Sequence, residues 1–282
     1  MRQNLIRKFI FLILAILTNS VSAEIYTGYD QQGKPYYSDQ AQTGAKLLAL
    51  KPAGYTWHTV KHVYDGDTIK LSSGLKVRLA GINTPEIETR YQTQERGGKE
   101  AKIALTRWLE GQQVRMEMDV EKKDKYGRTL AHLFTRDQQH LNLELVKKGL
   151  AIVNLHPPNL RYQQKLLKAQ QEAELEQLGL WNYPEYQPKN IDTLTLAPKR
   201  GWQRLLGTVN KIRVQRKFVY LELSEQVDMR IAKQNLDLFP ALQEYIGQPI
   251  EIRGWSSRRK DHYSILIRHP SAIKTLQGKA LP

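Results

Sequence analysis

The chain has 282 residues, 40% of them hydrophobic and 25% charged, with no cysteine. That balance excludes a disordered or low-complexity polymer, and the missing thiols exclude disulfides and thiolate metal sites. With 43 Lys+Arg against 28 Asp+Glu, a formal charge of +15 points to a polyanionic partner, nucleic acid or an anionic membrane surface, although a merely basic soluble protein shares it.

The chain opens with Arg2, Arg7 and Lys8, an apolar run from Phe9 to Leu17, and the small-residue triplet Val21-Ser22-Ala23. The apolar run is short for a bilayer span, so residues 1–23 read as a signal peptide removed on export, with an uncleaved anchor as the alternative. The expected mature chain starts near Glu24, keeps no stable membrane span, and is periplasmic or secreted. Residues 24–50 carry two aromatic runs, Ile25–Tyr29 and Pro35–Asp39, around the turn Asp30-Gln31-Gln32-Gly33-Lys34. This reads as a small β-hairpin domain. It resembles a short domain of unknown function at the start of many bacterial envelope proteins, a likeness that says nothing about chemistry, and a packing appendage is the favoured reading.

In residues 56–182 the pattern predicts strands at Thr59–Tyr64, Thr68–Leu71, Leu75–Leu79, Val114–Met118 and Thr129–Phe134, joined by Asp/Gly and Ser/Gly turns. Ala101, Ala104, Leu105, Trp108 and Leu109 recur at helical spacing before Gly111, and further helices fit Leu141–Lys148 and Arg161–Leu178. The expected fold class is mainly β with helices (α+β): a five-stranded Greek-key barrel of the oligonucleotide/oligosaccharide-binding kind, followed by a second small β-barrel.

The polar residues carry more information. Asp65-Gly66-Asp67-Thr68 sets two carboxylates around a glycine turn, and Asn83-Thr84-Pro85-Glu86 follows in a segment that Pro85 keeps out of a helix. Asp67, Asn83 and the Thr84 carbonyl are oxygen donors of the type a hard cation takes. Arg78 and Arg128 suit phosphate because a guanidinium binds its oxygens in pairs and stays charged. A DGD sequence is also an ordinary turn, a strand arginine also sits on a solvated face, and Glu86 could simply face water.

Taken in order, Asp65–Thr68, Val77-Arg78-Leu79, Asn83–Glu86, Gly98-Lys99-Glu100-Ala101, Asp124–Arg128, Leu145–Ala151 and Leu178–Trp181 resemble the staphylococcal nuclease (thermonuclease) family along 56–182. The resemblance implies a calcium-dependent endonuclease, a phosphodiesterase that cleaves DNA and RNA to leave a 3′-phosphate and a 5′-hydroxyl. It implies Arg78, Glu86 and Arg128 as catalytic residues: Glu86 accepts or orients the attacking water, and the two arginines stabilise the transition state. It implies Asp67 and the Thr84 carbonyl as calcium ligands, with Asp65 behind them. Two positions depart from the family. Asn83 stands where an Asp is usual, which removes a negative charge and leaves room for another divalent cation. Leu155-His156-Pro157 stands where the family's best-known member has tyrosines that flank the nucleotide. The polar segment Ile87–Gly98, with Arg90 and Arg96, reads as a surface loop beside the site.

Residues 183–197 read as a linker. Beyond it, Gly207–Val209, Phe218–Leu223, Val227–Ile231, Pro249–Gly254 and Tyr263–Arg268 read as strands, with a short helix near Asn235–Ile246, in a basic domain over 198–275 similar to an oligonucleotide-binding barrel. From Pro198 onward there are 16 Lys+Arg against 7 Asp+Glu, whereas residues 24–197 have 24 against 21. Arg213, Arg216, Lys217, Arg258, Arg259 and Lys260 could follow a phosphate backbone, and Phe218 and Tyr220 could stack on bases. These two aromatics could equally pack against the nuclease-like domain. The expectation is an exported nuclease acting on DNA and RNA, with no protein partner implied and the oligomeric state open. The alternative is a catalytically weak or inactive nucleic-acid-binding protein on a nuclease scaffold.

Overall fold

The computed structural model describes residues 26–30, 32–38, 40, 44, 46–47, 55–88, 94–109, 111–193 and 201–276. The expected signal peptide and Arg90 lie outside these residues. The chain divides into two units, Met1–Tyr55 and Thr56–Pro282. In the first, β1 (Tyr26–Tyr29) pairs antiparallel with β2 (Pro35–Ser38) and with β3 (Lys46–Leu47). Its turn is closed by Asp30, whose Oδ1 accepts the Gln32 and Lys34 amides at 2.8 and 2.9 Å.

The second unit starts with β4 (Trp57–Val63), β5 (Thr68–Leu71), β6 (Lys76–Leu79) and the short β7 (Ile82–Asn83). Helix α1 (Gly98–Leu109) precedes β8 (Gln113–Glu117) and β9 (Thr129–Phe134). Helix α2 (Leu141–Lys147), β10 (Ile152–Val153) and α3 (Gln163–Leu175) complete this part. Strands β4-β5-β6-β9-β8 close into a barrel, with the β6–β9 pair parallel. Alternation explains the orientation of β6: Val77 and Leu79 enter the core with Ile69, Leu71, Leu105, Val114 and Leu133, while Lys76 and Arg78 face outward. One buried polar residue helps lock the barrel. Asn142 of α2 accepts the Leu133 amide at 3.0 Å and donates to the Ala80 carbonyl at 2.9 Å, joining α2 to β9 and to the turn after β6. Strand β7 pairs with β10, Asn83 opposite Ile152, and so ties the site segment to the chain that enters α3.

The expected linker is largely structured. Pro184–Tyr186 and Ile191–Thr193 form single 3-10 turns around β11 (Lys189–Asn190), and Tyr186 and Ile191 are buried. The second small barrel takes the form of a curled half-barrel. Its strands are β12 (Gly201–Thr208), β13 (Lys211–Val214), β14 (Phe218–Glu222), β15 (Val227–Ala232), β16 (Pro249–Arg259), β17 (His262–Ile267) and β18 (Ile273–Thr275). They run β11-β12-β16-β17-β15-β14-β13, with β18 also on β16. The sheet does not close, because β12 spends its two edges on β16 and β11, leaving β13 at the free margin. The helix expected near Asn235–Ile246 is instead two 3-10 turns, Lys233–Leu238 and Leu242–Tyr245. Pro240 lies between them and disfavours helical backbone at the residue before it.

A buried ion network joins the sheet to α3. Glu174 receives Arg253 Nη1 at 2.6 Å and Nη2 at 2.9 Å, and Glu251 receives Arg204 Nε at 2.6 Å and Arg253 Nε at 2.7 Å. Trp181 packs edge-on against Tyr186 and Trp202 beside it, and the latter two rings meet at a tilt. Among the described residues no helix is long and apolar enough to cross a membrane.

Candidate functional site

The turn between β4 and β5 presents the two aspartates. Asp65 Oδ1 accepts the Asp67 amide at 2.9 Å, which tightens the turn. Gly66 allows the close approach that follows: a Cβ there would lie 2.6 Å from Ala101 Cβ and 2.8 Å from the Thr84 side chain. Asp67 is buried, and each of its oxygens is engaged. Oδ1 accepts Thr68 Oγ1 at 3.0 Å; Oδ2 accepts the Thr84 amide at 2.9 Å and pairs with Arg78 Nη2 at 2.9 Å. The segment 83–86 is thereby held against the aspartate turn.

Arg78 is fixed from several directions. Its Nη1 donates to the Leu79 and Ile82 carbonyls at 2.9 and 3.0 Å, and its Nη2 donates to Asn83 Oδ1 at 2.8 Å. That bond sets the Asn83 amide: with the oxygen on Arg78, Nδ2 donates to the Thr84 carbonyl at 2.9 Å. Asn83 therefore turns its oxygen to the guanidinium and its amide nitrogen to the carbonyl expected to face a cation. Arg128 arrives from the Asp124 turn, its Nε 2.7 Å from Asp124 Oδ2 and its Nη1 3.5 Å from Thr68 Oγ1.

Glu86 is half-buried, and its amide donates to Glu95 Oε2 at 3.0 Å. Gly98, where a Cβ would meet the Glu86 carbonyl at 2.7 Å, lets the start of α1 support the same segment. Burial raises the Glu86 carboxyl above its usual range; Asp67 and Glu95 add to this, while Arg78 and Arg128 oppose it. Asp67, Arg78 and Arg128 thus all act on this one carboxyl. Asp65 is pushed up to about 7, first by burial and then by the neighbouring Asp67 carboxylate. Among the described residues no group of three or more His, Asp or Glu could hold a metal by itself. The donors present, two crowded carboxylates and the Thr84 carbonyl, are of the hard-oxygen type that fits a divalent cation completed by water and substrate oxygens.

A groove of about 430 Å³ opens beside this cluster, lined by Arg78, Asn83, Lys123, Arg128, His156 and Arg268 among others. His156 keeps contact with solvent at the rim. Crowding by the surrounding chain, and then the Arg268 and Arg78 guanidiniums, hold its imidazole below the usual value. Arg268 comes from the second sheet and carries no local sequence motif. Arg96 stands apart, over the Tyr183 ring at 4.1 Å.

The C-terminal candidates separate into two groups. Arg213 is ion-paired to Glu222 at 2.6 Å and lies 4.5 Å from the Tyr220 ring centre. Arg216 and Lys217 are exposed in the β13–β14 turn, beside half-buried Phe218. Arg258, Arg259 and Lys260 occupy the β16–β17 hairpin, where Arg258 donates to the Lys260 carbonyl at 2.6 Å. The strand register places that hairpin at the opposite end of the sheet from Lys217.

Residues 76–183 match the family described as staphylococcal nuclease homologue. A thermonuclease of Staphylococcus intermedius is 42% identical over 127 residues, covering 44% of this chain and 75% of the relative. A thermonuclease of Staphylococcus hyicus is 35% identical over 140 residues, or 49% of this chain and 82% of the relative. An SPbeta prophage-derived endonuclease of Bacillus subtilis strain 168 is 31% identical over 133 residues, 45% of each chain.

Proposed function

The chain belongs to the staphylococcal nuclease family, and from that premise we propose that it is an exported, divalent-cation-dependent endonuclease that hydrolyses DNA and RNA to leave 3′-phosphate ends. The observation that carries the reading is the convergence of Glu86, Arg78 and Arg128 on the Asp67 turn, with the two guanidiniums opposing the rise in the Glu86 carboxyl pKa. A carboxylate beside a phosphate-binding pair is repulsive unless it handles a proton or a cation.

In this reading Glu86 orients a water toward phosphorus and takes its proton, while the P–O5′ bond breaks and the 5′ oxygen leaves with a proton from solvent. Arg78, held at its two terminal nitrogens by two carbonyls, Asn83 and Asp67, has its Nε left for a phosphoryl oxygen, and Arg128 approaches from the other side. Both are aimed at the charge that grows on the oxygens in the transition state. Asp67 and the Thr84 carbonyl would hold calcium or another divalent cation, which supplies Lewis-acid polarisation of the phosphate when bound. The basic second sheet adds affinity for the polyanion. Export is supported by the basic, apolar and small-residue pattern of residues 1–23.

The decisive measurement is digestion of plasmid DNA and of RNA with calcium, magnesium or chelator, beside Glu86→Gln. We expect chelator to stop cleavage and Glu86→Gln to lower kcat/KM by roughly 10²–10⁴-fold, the usual contribution of a positioned acid–base group. Cleavage that survives both changes would sink the mechanism. Full binding with no cleavage by the wild type would favour a non-catalytic binding protein, a reading supported by the amide that Asn83 turns toward the Thr84 carbonyl.

A further inference from the structure

Arg268 directly follows β17, yet it lines the same groove as Arg78 and Arg128. The latter two have carboxylate partners, Asp67 and Asp124. Arg268 is the one arginine of the groove without a carboxylate partner among the described residues. Behind it stands Arg230, whose Nε is buried with no hydrogen-bond partner and whose guanidinium lies 5.4 Å from the Phe218 ring centre. Burial, and then Arg230, lower the Arg268 pKa. Two neighbouring guanidiniums partly withdrawn from water, with no carboxylate partner among the described residues, are unfavourable until an anion joins them. A phosphate suits the planar donor fork that both present.

The sheet register gives the anion a direction. Phe218 lies opposite Ala232 and Tyr220 opposite Arg230, and Ile231 lies opposite Ile267. Phe218, Arg230 and Arg268 therefore gather at one end of the sheet. Arg216 and Lys217, which precede Phe218, extend that end. The Arg258–Lys260 hairpin is at the other.

Resting on the nuclease reading, we propose that Arg268 and Arg230 bind the phosphate adjoining the scissile one on a single strand, which then passes over Phe218 toward Arg216 and Lys217. Each half of the chain then supplies part of one substrate channel. The second sheet holds the strand in register while Arg78, Arg128 and Glu86 act on the next linkage. Arg268 is a substrate-positioning residue, and the substrate class is single-stranded nucleic acid longer than a dinucleotide.

The test uses the full chain and a fluorescein-labelled 20-nucleotide single-stranded DNA in chelator, so that binding is read without cleavage. Arg268→Ala should weaken binding about 10-fold and make the slope of log K against log[salt] shallower by about 0.7, the value for one lost phosphate contact on a single strand. Arg268→Lys should keep the salt slope. Lys168→Ala, on the exposed face of α3, should change neither quantity. With calcium restored, Arg268→Ala should raise KM for the 20-mer while leaving cleavage of a dinucleotide unchanged. An unaltered salt slope in Arg268→Ala with the native melting temperature, or an equal loss in Lys168→Ala, would overturn the proposal. A wild type that binds but does not cleave would defeat the nuclease reading and leave the Arg268 result standing.

Discussion

Asn83 lies between Arg78, which takes its oxygen at 2.8 Å, and the Thr84 carbonyl, which takes its Nδ2 hydrogen at 2.9 Å. Replacing it with aspartate puts a second carboxylate oxygen against that carbonyl, a repulsion that a cation between the two would remove. Asn83→Asp should therefore tighten calcium binding, by roughly 10-fold for one added anionic ligand, as read by calorimetric titration; unchanged affinity would show that Asn83 is outside the cation's reach. The identities of Asp67, Arg78, Glu86 and Arg128 were legible because each falls inside an ordered local motif. The orientation of Asn83 was not, since it depends on a guanidinium whose anchoring carbonyls are set by the fold. Arg268 gave no signal at all, because its meaning lies in a groove formed with residues some 190 positions earlier.

At the level of elements, alternation and glycine stops were enough to locate the five barrel strands and three helices to within a few residues. β13 and β11 were missed because short margin strands carry too few alternating positions to stand out. The buried pair at the β9–α2 corner was also silent in the sequence. His132 Nδ1 and His140 Nε2 are 3.1 Å apart, packed by Phe134 and Tyr162. Burial lowers His132 to about 4, and burial followed by the neighbouring His132 lowers His140 to about 3; Asp119 and Glu117 oppose the shift of the first and Glu117 that of the second, while Arg161 adds to the first and Lys165 and Lys147 to the second. Unfolding frees both to protonate at their ordinary value of 6.5. Above that pH the pair has no effect on stability. Between pH 6.5 and about 4 the unfolded chain takes up protons that the folded chain refuses, so stability falls as pH falls. The slope should reach about 1.4 kcal/mol per pH unit for each histidine, measured by urea unfolding at pH 7, 6 and 5. Although burial opposes it in both, the Tyr162 hydroxyl and Arg115 hold Glu117 down, and Arg204 and Arg253 hold Glu251 down, so these carboxyls add their own loss only below the ordinary glutamate value of 4.5. Because Asp65 and Glu86, held above their usual range, gain stability over the same span, the pair is isolated by comparison: a loss from pH 7 to 5 as large in His132→Gln as in the wild type would refute a neutral buried pair.

Across the whole second unit, the barrel and the basic sheet depend on the Glu174–Arg253–Glu251–Arg204 network. These side chains are 4–13% exposed. Removing one member strands the others, which for a buried pair costs about 3–5 kcal/mol. Glu174→Ala should lower the unfolding free energy measured in urea by about that amount and split a single transition into two as the sheet uncouples from α3. The charge asymmetry between the halves was plain from composition. The network was not, because its carboxylates and arginines come from distant segments whose spacing means nothing until the strands pair.

Strand β11 has only two residues, yet it lies parallel along β12, Lys189 beside Leu205 and Asn190 beside Leu206. It covers part of an eight-residue strand that would otherwise offer open amides and carbonyls to any extended chain. A protease cut between residues 190 and 201 would sever that guard strand from the strand it protects. If the halves then parted, the released C-terminal fragment would carry a sticky margin beginning at Gly201, a template for edge-to-edge polymerisation. The unbroken chain is thus its own safeguard against self-association through β-strand addition.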